Sequence, residues 1–241
     1  MGNILRGHNL AVIETSESKT FQRSLVEFAH TLDFKTITAM LVIDQPFAPS
    51  NFYVVDNTPA EYLDAYYEPS FIGVDPVMQH CKRLPQPIVW DQSTYVAKQV
   101  GVLWEQQAKF GYRCGVALAL HSVGGRHFFL GVDRDQAFSW KADTQRDVIA
   151  SLNVFASFAQ EKALQIFTPD IDALKPIEPL TPTEIELLRW SMDGISVCDI
   201  SKIMSIAECD ASSLLINAMV KLRCNTKYQA IIKAIRFGLI H

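Results

Sequence analysis

Between Thr58 and Asp91 the chain concentrates residues able to recognise a small molecule: Thr58, Tyr62, Tyr66, Asp75 with Pro76 behind it, and Trp90. Thr58-Pro59-Ala60-Glu61 has the grammar of a helix start, and on such a helix Tyr62 and Tyr66, four residues apart, share a face. An uncharged, partly greasy ligand needs an apolar pocket carrying a few placed polar groups. A carboxylate such as Asp75 bonds an N–H strongly only where water is excluded and its charge is otherwise supported. Each residue also has a plainer reading. Asp75 before Pro76 is a good helix N-cap, and Tyr66 and Trp90 would serve as core aromatics.

Covalent chemistry finds little support. The sequence holds no nucleophile elbow, phosphate loop or metal-ligand spacing. Cys114 and His121 lie on a presumptive strand and turn, where packing and surface exposure explain them better than a dyad. Cys81, Cys114, Cys198, Cys209 and Cys224 are odd in number and scattered, which suits reduced packing residues. The chain is expected to be no enzyme and to use no cofactor or metal.

The elements that would position the aromatic set follow from periodicity. Residues 18–34 carry Phe21, Leu25, Phe28, Ala29 and Leu32 on one side of an amphipathic helix. Residues 37–43 and 52–55 read as strands separated by the turn-forming stretch 44–51, and Asp75-Pro76 opens a short helix. Residues 96–110 read as one helix with Val100, Leu103, Trp104 and Ala108 inward. Strands at 115–120 and 127–132 flank Val123-Gly124-Gly125-Arg126 as a hairpin, with Phe128 and Phe129 on opposite faces. A long helix over 142–166 buries Val148, Leu152, Phe155, Ala159 and Ala163. These elements predict an α+β chain: an N-terminal α/β/α sandwich around an antiparallel sheet, then an all-α C-terminal domain of four helices.

That C-terminal domain has clear punctuation. Thr181-Pro182-Thr183-Glu184 supplies a cap, a first-turn proline and a capping-box glutamate, and Gly194 stops the helix. Ser196 to Asp199 opens a second helix with Ile200, Ile203 and Met204 at helical spacing. A third buries Ala211, Leu215, Ala218, Met219 and Leu222; a fourth starts at Thr226, with Gln229 as its capping-box partner and Ala230, Ile231, Ala234 and Ile235 as its apolar side. Two short helices across a glycine-containing turn are a helix-turn-helix, and the third helix would be its recognition helix. Between the halves, residues 168–179 hold three prolines and read as a semi-extended linker. The expected domains are therefore 1–167, the linker 168–179, and 180–241.

The run from Leu180 to Trp190, with Gly194, Ile200, Ile203, Ile206, Asn217, Lys221-Leu222, Gln229-Ala230 and Gly238-Leu239-Ile240, resembles the C-terminal domain of the LuxR family of quorum-sensing regulators. Tyr66, Asp75-Pro76, Trp90, Phe110-Gly111 and Gly115 resemble that family's acyl-homoserine-lactone-binding domain. The resemblance implies that Asp75 accepts the ligand's amide N–H, Tyr66 contacts the acyl carbonyl region and Trp90 packs on the lactone. Trp104 and Phe129 are expected to join the lining. The sequence departs from the family at three of these positions: Tyr62 stands for a tryptophan that donates to the lactone carbonyl, Thr58 for a tyrosine, and Gly131 for a serine or threonine. On the recognition helix Ser212, Ser213, Ile216, Asn217 and Lys221, with Lys227 beyond it, are the DNA-contacting candidates.

Charge qualifies the DNA reading. The chain carries −4 overall, and from Leu180 onward bases barely outnumber acids, so any DNA contact must be local. The outward recognition positions are Asp210, Ser212, Ser213, Leu214, Ile216 and Val220, where basic residues are the family's habit. Ile216 and Val220 could read thymine methyl groups or face a protein. Two functions follow. One is a signal-dependent transcriptional regulator binding an acyl-homoserine lactone or related autoinducer and, as a homodimer, DNA. The other is an anti-activator that forms mixed dimers with a related regulator. Nothing approaches the apolar run of a membrane span and no basic-then-apolar leader opens the chain, so a cytoplasmic protein without membrane contact is expected.

Overall fold

In the computed structural model, residues 2–45, 48–59, 61–62, 73–168 and 178–241 are described. The chain divides into two compact units, the first of residues 1–121 and 126–168, the second of residues 169–241 with the short stretch 122–125. In the first, α1 (Gly2–Glu14) and α2 (Ser18–Thr31) precede a hairpin of β1 (Thr36–Gln45) and β2 (Ala48–Asp56). Then come α3 (Pro76–Arg83), β3 (Ile88–Trp90), α4 (Gln92–Val96), α5 (Gly101–Ala108), β4 (Cys114–Ser122), β5 (Arg126–Arg134) and α6 (Ala142–Phe167). The five strands form one sheet in the order β2-β1-β5-β4-β3, with β1 antiparallel to both β2 and β5 and β3 antiparallel to β4.

Helices cover both faces. On one, α1 packs on α2 and α6, and α2 and α6 pack on β1. Phe28 of α2 stacks on Phe155 of α6 with ring centroids 3.6 Å apart. The inward stripe predicted for α6 is buried throughout: Val148, Leu152, Phe155, Ala159 and Ala163. On the other face α3, α4 and α5 enclose an aromatic cluster against the sheet. This is the α/β/α sandwich the periodicity implies.

Three local readings change. The stretch 96–110 is not one helix: Asp91 and Thr94 form a capping box that starts α4 early. Gln99 at φ 60 then breaks the chain before α5. Along α5 the buried residues are Leu103 and Gln107, so Gln107 takes the inward place expected of Ala108. The turn after β1 is tighter than 44–51, because pairing continues to Gln45 opposite Ala48 with a register shift after Ile43. The helix expected from Thr58 lies largely outside the described residues.

The second unit contains α7 (Pro182–Met192), α8 (Val197–Ile203), α9 (Glu208–Lys221) and α10 (Lys227–Arg236). The α7 cap is the full box: Glu184 N–H donates to Thr181 Oγ1 at 3.2 Å and Thr181 N–H to Glu184 Oε2 at 2.7 Å. At α10, Thr226 Oγ1 accepts from Gln229 N–H, but Gln229 Oε1 takes the N–H of Asn225 instead of closing a box on Thr226. Helices α8 and α9 cross at 111°, within the range of a helix-turn-helix. Ile203 and Ile235 are exposed, against the inward places their spacing suggests. Helix α8 has seven residues and α10 ten, and both bury a narrow stripe, Ile200 and Ser201 on one and Ala230 and Ala234 on the other. Among the described residues no single helix is long and apolar enough to cross a membrane.

Candidate functional site

The N-terminal cluster is built from its caps. Asp75 caps α3: its Oδ1 accepts from Val77 N at 2.8 Å and from Met78 N at 3.4 Å, with Pro76 at the first helical position. Asp91 does the same for α4 and so seats Tyr95, which is fully enclosed. The Tyr95 hydroxyl reaches Asp75 Oδ1 at 3.4 Å and Gln107 Oε1 at 3.5 Å. Trp90, at the end of β3, meets Tyr95 edge-on with centroids 5.7 Å apart. Tyr62 stacks on Tyr112 at 4.2 Å and meets Phe110 edge-on at 5.6 Å. Val42, Val77, Leu103 and Phe129 complete the buried set, with Met40, Met78, Val100 and Trp104 packed against it. A carboxylate, an amide and phenols are thus held in an otherwise apolar enclosure.

Electrostatics sharpen at its floor. Asp133 is buried at the end of β5, and burial, then the charge of Asp75, pushes its carboxyl up to about 8, with the Thr36 hydroxyl opposing. Beside it Gly115 leaves no room for a side chain: a Cβ there would lie 2.5 Å from Val132 O, 2.6 Å from Asp133 Oδ1 and 2.7 Å from Trp90 Nε1. Burial also raises the Cys81 thiol to about 12, helped by Asp75, so it stays protonated and unreactive. Among the described residues no group of His, Cys, Asp and Glu could hold a metal ion.

The structure brings Tyr62, Asp75, Trp90, Trp104 and Phe129 to one cluster. Phe128 is buried as well but takes no part in this cluster, as strand alternation requires. Trp104 is partly buried, and its ring N–H already donates to Arg113 O at 2.9 Å. Thr58 stands beside the Tyr112 hydroxyl. At Gly131 a Cβ would meet nothing within 4 Å. Tyr66 lies outside the described residues. Tyr95, Gln107 and Tyr112 were not singled out from sequence; the Asp91-x-x-Thr94 cap was the available signal for Tyr95, and Leu103 to Gln107 at helical spacing for Gln107.

On the C-terminal unit Ser213, Ile216, Asn217 and Val220 form an exposed stripe along α9, with Ile216 57 % and Val220 62 % accessible; Ser212 is half-buried. Ser213 Oγ donates to Cys209 O. Lys221, one of the DNA-contact candidates, is engaged within its own unit. Its Nζ donates to Glu184 Oε2 at 2.9 Å, and the Glu184 side chain is 3 % exposed. A buried carboxylate requires a partner, and Lys221 is that partner. Lys202 pairs with Asp199, and Lys233 donates to the carbonyls of Leu222 and Arg223 at the end of α9. Lys227 sits over the Tyr228 ring at 5.9 Å.

Comparison with known proteins agrees with this architecture. Residues 17–163 match the autoinducer binding domain family, and residues 178–234 match the luxR family of bacterial regulatory proteins. The transcriptional activator protein AnoR of Acinetobacter nosocomialis is 28 % identical over 191 residues, 78 % of each chain. SolR of Ralstonia nicotianae is 25 % identical over 218 residues, covering 90 % of this chain and 91 % of its own. The fold is similar to that of Escherichia coli SdiA, with a TM-score of 0.70 at 20 % identity over 98 % of both chains. SdiA in complex with octanoyl-rac-glycerol gives the same TM-score at 19 % identity, over 99 % of this chain and 96 % of that one. An autoinducer-binding domain followed by a helix-turn-helix domain places the chain in the LuxR family of quorum-sensing transcriptional regulators, a family of regulators and not of enzymes.

Proposed function

We propose that residues 1–167 bind an acylated small-molecule signal, that 168–179 link them to 180–241, and that the C-terminal domain binds DNA as a homodimer in response. The observation that carries the receptor reading is a buried carboxylate, Asp75, capping a helix inside an aromatic enclosure. Tyr62, Tyr66, Asp75 and Trp90 are its principal ligand contacts, with Thr58, Trp104, Phe129 and the space at Gly131 around them. An acyl-homoserine lactone suits this set, and the SdiA complex with an acylglycerol makes other acylated headgroups reasonable candidates. A ligand bound only by the folded receptor stabilises it by about 2.7 kcal/mol at a hundredfold excess over Kd. Thermal stability of the purified chain against acyl-homoserine lactones of graded length, with mass spectrometry of co-purifying molecules, tests this. A shift peaking at one length names the signal; a flat response across the series sinks the lactone reading.

A second reading, the anti-activator forming mixed dimers, is supported by the α9 stripe. It presents no base, and Lys221 is engaged by Glu184. Saturable, salt-sensitive binding to a palindromic promoter site favours the regulator; mixed dimers without DNA affinity favour the alternative.

A further inference from the structure

Two polar atoms stand out in the N-terminal cluster: Gln107 Nε2 has no hydrogen-bond partner among the described residues, and Tyr112 Oη, beside the hydroxyls of Thr58 and Thr36, makes no well-formed hydrogen bond to either. Gln107 is 3 % and Tyr112 5 % exposed. Buried polar groups are almost always paired, and leaving one unpaired is destabilising, so two in one enclosure call for a reason. The Gln107 amide lies at the corner where the Tyr95 hydroxyl meets Asp75. Turning the amide over only exchanges an unpaired N–H for an unpaired oxygen. Tyr112, stacked on Tyr62, presents its hydroxyl from a neighbouring side. Gly131 follows Phe129 on the same face of β5 by strand alternation, and there the enclosure is open where a side chain would otherwise stand.

We propose that this corner receives a headgroup bearing hydroxyls, one bonded to the Gln107 carboxamide and one to the Tyr112 phenol. These two residues then select an acyl amide ending in a diol over one ending in an unsubstituted lactone. The inference rests on the reading of this unit as a receptor for an acylated signal. A lactone carbonyl can accept from one of these groups, but the ring has no donor for the oxygen of either. A hydroxyl both donates and accepts, so it satisfies the amide in either orientation and the phenol in either role. The ligand amide remains available to Asp75.

The test uses the full chain and two probe series of matched acyl length, N-acyl homoserine lactones and N-acyl serinols, measured by calorimetry. The serinol of the best length binds more tightly than its lactone counterpart. Gln107→Met and Tyr112→Phe, both close to isosteric, each weaken the serinol by roughly three- to tenfold and the lactone by less, since the lactone has no donor to lose a partner for. A lactone binding as tightly as the serinol, or serinol affinity unmoved in both variants, overturns the selection and leaves the receptor reading standing. If neither series binds at any length, the receptor reading fails and this inference goes with it.

Discussion

Asp133 shows how one side chain sets a condition for the whole unit. An aspartate ionises at 3.8 by default, and in the fold burial and the nearby Asp75 push Asp133 up to about 8. The folded state therefore holds this proton more tightly than the unfolded chain. The associated stability is complete below about pH 4, is lost as pH rises, and is gone above about pH 8. Asp133→Asn, which cannot ionise, is expected to flatten the pH dependence of Tm over that window and to add on the order of 1–3 kcal/mol at its alkaline end. A variant whose pH profile matches the parent would assign the titration elsewhere. Gly115→Ala is expected to destabilise by about 1–3 kcal/mol, read by chemical denaturation, because the added methyl would meet the fixed Val132 carbonyl. Little of this was legible in the sequence. Asp133 reads as an ordinary strand-end acid and Gln107 as a solvated helix residue, since only the packing of α3, α4 and α5 over the sheet encloses them. Asp75 was legible, because its cap is a local matter of Asp followed by Pro.

Among the elements, those with local punctuation were read correctly and those set by distant contacts were not. The α7 box, the Asp75 cap and the α6 stripe depend on residues within a few turns of one another. The break before α5 depends on Gln99 adopting a positive φ, for which a glutamine gives no signal, and β3 has only three residues. Helix α1 lacks an acidic first turn and a basic last turn and was not expected; its place comes from packing on α2 and α6. Lys221 is the sharpest case, because its partner Glu184 lies 37 residues earlier. Lys221→Met is expected to destabilise the C-terminal unit by about 2–4 kcal/mol, since Glu184 would remain buried and uncompensated. A melt followed on that unit with no loss of stability would return Lys221 to the list of surface bases. The Asp75 cap allows a cleaner division. Asn caps a helix about as well as Asp, so Asp75→Asn should leave the ligand-free Tm nearly unchanged while weakening an amide-bearing ligand by roughly ten- to a hundredfold. Equal affinity for both proteins would leave Asp75 a cap and nothing more.

At the scale of the molecule, the question is how a chain of net charge −4 addresses a polyanion. Within the C-terminal unit Lys202, Lys221 and Lys233 are spent on Asp199, Glu184 and helix-end carbonyls. The other bases of each head, Arg189, Arg223, Lys227 and Arg236, are the candidates for phosphate contact. A dimer would then neutralise no more than about eight phosphates, and the slope of log K against log salt should be no steeper than roughly −7. With so little sequence-independent attraction, discrimination has to come from the α9 stripe. Asn217 there can bond the N6 and N7 edge of adenine, and Ile216 and Val220 can pack on thymine methyls, whereas no arginine or lysine is placed to read guanine. Binding selections should therefore return A·T pairs at the centre of each half-site. Asn217→Ala should relax that preference at one position at a cost of about 1–3 kcal/mol, with the salt slope unchanged because no phosphate contact is lost. A steep salt slope with no base preference would mean that the head grips DNA through charges elsewhere. No binding to any selected sequence, from a protein that still responds to its signal, would leave the exposed stripe to a protein partner and favour the mixed dimer.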